Sequence, residues 1–441
     1  GGRGWRDLWQ DCLGLLLQDP TEVRELLLNN FAGVRIDGTN ATVIGAKPGE
    51  FVADRNNINR VWMDHGAWPW FTTHLYLEQS GDYGFLLVKQ VYFQDCQVCR
   101  GRVINPQWNP ESGCWLREKN GLEYRGTVLE HLLVENLTAF FNVGEHNLIR
   151  LENADWNDAL DMASDRGESV AFSAFYCYNL LELAALLLDW QVTLKVGVVE
   201  VLAEIWPLLD TLEDKIDYES VAAKQNLLKR YLASCQGEIS GRKFRVAVTD
   251  LAADLRKKGE WLAAHIRQNE WISNSAGFNW FNGYYDNDGQ RVEGDFSSGV
   301  RITLTGQVFT VMSGIAASEQ VAQVIKTVDH YLKDPILGSY RLNTDFGGVQ
   351  PNLGRAFGFA YGHKENGAVF CHMAVMYACA LYHRGFVEAG YEVLNSLYRL
   401  AVDFPTSRIY PGIPEYFNQN GRGMYHYLTG AASWFLFAML T

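Results

Sequence analysis

The feature that most constrains this chain is a recurring one: segments with apolar residues at helical spacing come largely in pairs, and long polar or glycine-rich stretches separate the pairs. Helical patterns read at 5–18, 21–30, 58–80, 83–93, 127–142, 169–190, 194–208, 211–235, 246–268, 301–313, 317–332, 369–384, 385–402 and 430–440. The long connections fall near 31–57, 94–126, 144–168, 269–300, 333–368 and 403–429. In 169–190, Leu180-Leu181 and the run from Ala184 to Leu188 leave little polar surface, so this helix must be buried on most sides. Almost nothing else reads as strand. The expected class is all-α: a toroid of helical hairpins whose inner helices are buried and whose long loops gather at one mouth as a binding face. Loops this long inside a compact domain are usually functional, and no sequence repeat is strong enough to indicate a superhelical solenoid.

Composition narrows the partners. The 441 residues are 48% hydrophobic and 20% charged, with a formal net charge of −13 and a pI near 5.3. That balance argues against nucleic acid or an anionic membrane surface, which need a basic footprint, and favours a neutral substrate. No run reaches the roughly 18 apolar residues of a membrane span and no charged-then-apolar signal segment opens the chain, so the expected location is cytoplasmic. The eight cysteines are too sparse for a disulfide framework. Cys96, Cys99 and Cys114 lack a fourth ligand at a zinc-like spacing, so no metal site is expected. The sequons at Asn40 and Asn136 carry little weight without evidence of secretion. The chain runs from Gly1 straight into Trp5-Arg6-Asp7 with no initiator Met and ends inside an apolar helical pattern, so it is expected to be part of a longer one.

Chemistry concentrates in Leu151-Glu152-Asn153-Ala154-Asp155-Trp156-Asn157-Asp158-Ala159-Leu160-Asp161. A pyranose offers hydroxyls to carboxylates and amides, and an apolar face to a Trp. A helix beginning at or just after Asn153 would put Asp155, Asp158 and Asp161 on roughly one side, where one could donate a proton. The plainer reading is a capped helix start, with the acids favouring the positive end of its dipole. A calcium loop fits less well, because the alternating spacing and central Gly are missing.

Five motifs occur together: Gly4-Trp5-Arg6-Asp7 with Gln10-Asp11; Trp62-Met63-Asp64-His65; Asp155-Trp156-Asn157-Asp158; Lys364-Glu365-Asn366-Gly367 leading to His372; and Tyr427-Leu428-Thr429-Gly430-Ala431-Ala432-Ser433-Trp434. In this order they resemble the catalytic domain of the inverting glycoside phosphorylases related to cellobiose phosphorylase, glycoside hydrolase family 94 and its relatives. The text around Gly1–Asp11 and Arg166–Phe172 is closer to the β-1,3-oligoglucan phosphorylases of family 149. The resemblance implies an (α/α)6 barrel spanning 1–441, flanked in full-length members by β-domains that are not present here. It implies phosphorolysis of β-glucosidic bonds, β-1,3 by the closer likeness, to α-glucose 1-phosphate. Inorganic phosphate is the co-substrate and no cofactor is implied. A homodimer is one assembly the sequence allows.

Carried onto this chain, the resemblance makes Asp158 the general acid and has Trp156 and Asn157 line the sugar site. Asp11 would bind sugar hydroxyls, and Arg6 would reach towards phosphate from beside them. His372, Thr429 and the Gly430 backbone would complete the phosphate site. Asp64 and His65 receive no role, because relatives tend to have paired acids there. Read without the family, Arg6 is equally an ion-pair partner of Asp11 or another acid, His372 a packed or capping residue, and Thr429-Gly430 a helix cap, which is also how a helix start becomes an anion site.

Inverting hydrolysis needs two carboxyl groups, one protonating the leaving oxygen and one activating water. Phosphate is already an anionic nucleophile, so one acid suffices and the opposite side must be rich in cations or N–H groups. The alternatives are a hydrolase or transglycosylase on the same barrel, with Asp155, Glu152 or Glu365 as base or nucleophile, and a carbohydrate-binding fragment without turnover.

Overall fold

The computed structural model describes residues 3–52, 60–109, 111, 113–410, 412–425 and 430–440. Its helices in chain order are α1 (Trp5–Leu16), α2 (Pro20–Phe31), α3 (Trp68–Ser80), α4 (Val128–Phe141), α5 (Val170–Thr193), α6 (Val221–Ser234) and α7 (Val248–Asn269). They continue with α8 (Leu304–Met312), α9 (Ser318–Tyr331), α10 (Cys371–His383), α11 (Val387–Val402), the short α12 (Phe404–Ser407) and α13 (Gly430–Leu440). Contacts divide the chain into two compact units, Gly1–Glu152 with Asn179–Trp261, and Asn153–Tyr178 with Leu262–Thr441, so the boundaries fall inside α5 and α7.

In the first unit, α1 packs against α2 and α3 through aromatic rings. Trp9 meets Trp5 at 5.8 Å and Phe31 at 5.0 Å between ring centroids, both edge-on, and all three are fully buried. Local chemistry sets the helix starts: Asp19 accepts from Thr21 N at 3.0 Å with Pro20 as the first residue of α2, Thr127 caps α4 by accepting from Glu130 N at 3.1 Å, and Ser220 caps α6. Gly81, at φ 69°, ends α3 in the left-handed conformation that a side chain disfavours.

In the second unit, α10 is the core helix. Every residue from Cys371 to Leu381 is buried, and α8, α11 and α13 pack around it. The approach of α11 needs Gly390, where a Cβ would stand 2.7 Å from the Tyr382 ring and 3.0 Å from Ala378 O. The first turns of α5 pack on α8, with Phe172 and Phe309 rings 4.5 Å apart.

The helical expectation holds for most segments, but the expectation of almost no strand does not. Short antiparallel ladders recur, and several run directly into a helix: Arg3–Gly4 into α1, Arg125–Thr127 into α4, Glu168–Ser169 into α5, Lys243–Ala247 into α7 and Val369–Phe370 into α10. Each pins the first turn of the helix it feeds. Val198–Leu202, read as helix within 194–208, is a strand paired with Lys243–Ala247. Alternating burial and β-branched valines outweigh helical spacing there, and the following 3-10 turn contains Pro207. The 83–93 segment is a 3-10 turn (Tyr83–Leu87) followed by a strand, Lys89–Val91. Residues 213–220 are not helical, since a 3-10 turn (Asp210–Leu212) ends before them and α6 begins only after its cap Ser220, and α3 begins at Trp68 rather than 58, with Pro69 in its first turn. Residues 58 and 59 of that expectation lie outside the described residues.

One further expectation changes. By length and composition α5 is apolar enough to cross a membrane, although most of it is buried inside the protein. Asn40 and Asn136 of the two sequons are both buried. All eight cysteines are free thiols, and burial pushes Cys12 up to about 12.

Candidate active site

The stretch around Asp155 is not a helix. It is a chain of tight turns built from its own side chains. Asp155 Oδ1 accepts from Asn157 N at 3.0 Å, and Asn157 Oδ1 accepts from Ala159 N at 3.1 Å, two successive Asx turns that leave Trp156 and Asp158 at their corners. The three acids therefore do not share one face. Asp155 is fully buried and its second oxygen accepts from Ser169 Oγ at 2.9 Å, so it holds the turn and faces no substrate. Asp161 ion-pairs with Arg355. Asp158 is half-buried, as is Asp161, and is not part of that ion pair.

Around Asp158 the second unit closes tightly. Gly354 lies against the turn, where a Cβ would sit 2.0 Å from Ala159 O, and Ala356 N donates to that same carbonyl at 3.0 Å. Glu365 sits on a turn closed by Asn366 N donating to His363 O, with Lys364 at φ 49°. Burial raises the Glu365 carboxyl above its ordinary range and the negative charge of Asp158 raises it further, against Lys364 and Arg355.

Trp156 connects this turn to α10. Its ring packs edge-on against Phe370 at 5.1 Å, and its indole Nε1 donates to His372 Nδ1 at 3.1 Å. His372 is the second residue of α10 and is buried. The other edge of its imidazole lies at the start of α13, since a Cβ on Gly430 would stand 2.8 Å from both Cε1 and Nε2. Trp156, His372 and Gly430, the first 216 residues before the second, therefore meet at one place. Thr429, expected beside Gly430, lies outside the described residues, as do Tyr427 and Leu428.

The remaining expected residues belong to the first unit. Arg6, the second residue of α1, is buried and forms a two-pronged pair with the fully buried Asp64, through Nε and through NH2 to Oδ1 at 2.8 Å. Asp64 also accepts from Trp68 Nε1 at 2.8 Å, and the guanidinium stands over the Trp62 ring at 5.8 Å. Asp64 was left without a role by the sequence. Its signal was its place in Trp62-Met63-Asp64-His65, a second motif that has to meet the first. Asp11 pairs with the exposed Arg3, at 2.7 Å. Burial is the main influence on its carboxyl and pushes it up to about 6, against the pull of Arg3 and with a smaller push from Asp7.

Glu152, the last residue of this unit, is equally committed. Arg100 holds it through Nε at 3.0 Å and NH2 at 2.8 Å, and Asn142 Nδ2 donates to it at 2.9 Å. Of the carboxylates named for the hydrolytic alternative, Asp155 and Glu152 are thus structural, and Glu365 alone is partly accessible beside Asp158.

Solabiose phosphorylase of Paenibacillus borealis is 24% identical over 373 residues, covering 84% of this chain and 36% of that protein. The 3-O-β-D-glucopyranosyl-β-D-glucuronide phosphorylase of the same organism is 22% identical over 449 residues, covering 99% of this chain and 46% of that protein. Cellobionic acid phosphorylase of Neurospora crassa is 27% identical over 149 residues, 30% of this chain and 18% of that protein. The chain thus spans less than half the length of these relatives. Residues 117–189 and 249–441, more than half of the chain, match the catalytic domain of the glycosyl hydrolase 94 superfamily, and the chain belongs to that family.

Proposed function

We propose that the protein is an inverting glycoside phosphorylase that cleaves β-glucosidic bonds of gluco-oligosaccharides, β-1,3-linked ones first among them, to α-glucose 1-phosphate. The observation that carries this reading is the meeting of Trp156, His372 and Gly430 next to the turn that bears Asp158. It brings sugar-binding, proton-donating and N–H-donating groups to one place, and the relatives named above are phosphorylases. The fold that goes with the reading is the (α/α)6 double ring, supported by family membership and the succession of helices.

In the proposed reaction Asp158 gives its proton to the glycosidic oxygen as the bond to the anomeric carbon breaks. A phosphate oxygen attacks that carbon from the opposite face and inverts it. The proton of the monohydrogen phosphate then restores Asp158, so no second acid or base is consumed. His372 and the start of α13 supply N–H donors for the anion. Arg6, whose Nε and NH2 are held by Asp64, is proposed to reach towards phosphate. Asp11 and Asn157 are proposed to bind sugar hydroxyls, and Thr429 to complete the phosphate site.

One observation favours a second reading. Burial raises the Glu365 carboxyl and the nearby charge of Asp158 raises it further, as expected of a carboxyl in a hydrolytic pair. Product analysis separates the two. A β-1,3-linked glucose disaccharide should give glucose and glucose 1-phosphate only when phosphate is present; free glucose as the sole product in phosphate-free buffer would overturn phosphorolysis in favour of hydrolysis.

A further inference from the structure

The hydrogen bond between Trp156 and His372 fixes more than a distance. An indole Nε1 can only donate, so at 3.1 Å His372 Nδ1 must accept, with its lone pair in the ring plane and no proton on it. A neutral imidazole carries one N–H, which in this ring is therefore on Nε2. The Cε1–Nε2 edge is the one that lies at Gly430, the first residue of α13. The absence of a side chain at 430 is what allows the ring this close. The same ring is wedged edge-on by Trp156 at 5.4 Å and stands 6.5 Å from Trp434, so it has little freedom to flip.

We propose that Trp156 is a positioning residue for the nucleophile: its indole N–H holds His372 in the Nε2–H form and aims that N–H, together with the first turn of α13, at the incoming phosphate. This gives Trp156 a task that covering a sugar ring does not require, since a phenylalanine would cover the ring as well. It ties the acid-bearing turn to the anion-binding residues, because one side chain belongs to both. The inference rests on the reading of His372 and Gly430 as phosphate-binding, and it refines that site by stating which imidazole nitrogen donates and what keeps it a donor.

Two measurements test it. In the protein labelled with ¹⁵N-histidine, with His372 assigned by its loss in His372→Asn, His372 should show a protonated Nε2 and an unprotonated, hydrogen-bonded Nδ1; a proton on Nδ1 at neutral pH overturns the proposal. Trp156→Phe keeps an aromatic ring at the position and removes the indole N–H together with part of the bicycle. With a β-1,3-linked glucose disaccharide and inorganic phosphate varied separately, KM for phosphate should rise roughly tenfold, the worth of one directed hydrogen bond. KM for the disaccharide should rise less than KM for phosphate, since an aromatic face is retained. Equal losses for both substrates, or no loss for either while His372→Asn still weakens phosphate use, would overturn the positioning role and leave the phosphorylase reading intact. If His372→Asn itself leaves KM for phosphate unchanged, the phosphate-site reading fails and the proposal with it.

Discussion

The first turns of α1 and α10 are built alike and finished differently. Each is fed by a short strand, and each bears its candidate ligand-binding residue, Arg6 or His372, as the second residue of the helix. Arg6 is met by a full carboxylate, Asp64, so its charge is already neutralised inside the protein. His372 is met by an uncharged donor, Trp156 Nε1, which fixes the ring without adding charge. A buried cation left alone is costly, so it comes with its own anion. A neutral imidazole needs only orientation. In a chain with a net charge of −13, the anion proposed at the start of α10 is best received by uncharged N–H groups and a helix start.

The largest effect should come from the one half-buried carboxyl on the turn that Trp156 anchors. Asp158→Asn should lower turnover on unactivated glycosides by about 10²–10⁴-fold, the usual worth of general acid catalysis, with much less loss on an aryl glycoside whose leaving group needs no proton. The change is nearly isosteric, so the melting temperature should hardly move. Were Asp155→Asn the more damaging of the two for catalysis without loss of fold, the acid would be misassigned.

Next comes the ion pair at α1. Asp64→Asn leaves a buried guanidinium without its counter-charge and should cost about 3–5 kcal/mol of stability, read from denaturant unfolding. Asp161→Asn breaks the pair with the half-exposed Arg355 and should cost at most about 1 kcal/mol. Similar losses for both would mean that Asp64 does not carry the charge balance assigned to it.

A steric test follows for the other centre. Gly430→Ala puts a methyl group where the His372 ring already lies, 2.8 Å away, so the ring or the helix start must shift. We expect KM for phosphate to rise about tenfold while disaccharide KM stays within about twofold. An alanine that leaves phosphate use untouched would separate the start of α13 from the anion site.

Much of this was legible in the sequence, and the exceptions share a cause. Long apolar segments such as 169–190 and 369–384 announce their helices because periodicity and burial agree. The error at 194–208 arose where Val198, Val199 and Val201 also suit a strand, and only the partner Lys243–Ala247, invisible to local reading, decides between them. The same holds for the site. Asp158, Trp156 and His372 carry their chemistry in their side chains and stood out. Asp64 did not, because what matters about it is Arg6, 58 residues away. Nor did the rigid turn at 155–159 read as a turn, since Asp and Asn at these spacings serve a helix start equally well until their acceptors are seen.

The smallest effect expected is a pH dependence at the α1 centre, and its sign follows from burial. Asp11 is pushed up to about 6 in the folded protein from 3.8, chiefly by desolvation. The fold thus prefers its neutral form, and the stability that this preference contributes is complete below the unfolded value of 3.8 and is lost as pH rises through about 6. Asp11→Asn, which is always neutral, should follow the wild-type stability at low pH and exceed it increasingly between about pH 4 and pH 7. The exposed Arg3 opposes the shift, so Arg3→Ala should move the window upward and widen the gap from the Asn variant. Unfolding free energies of the three proteins, measured in urea at half-unit intervals of pH, read this directly. Parallel curves for wild type and Asp11→Asn would mean that the carboxyl is well solvated, and its neighbourhood would then resemble an open sugar-binding surface more than the closed, charge-matched interior around Arg6 and Asp64.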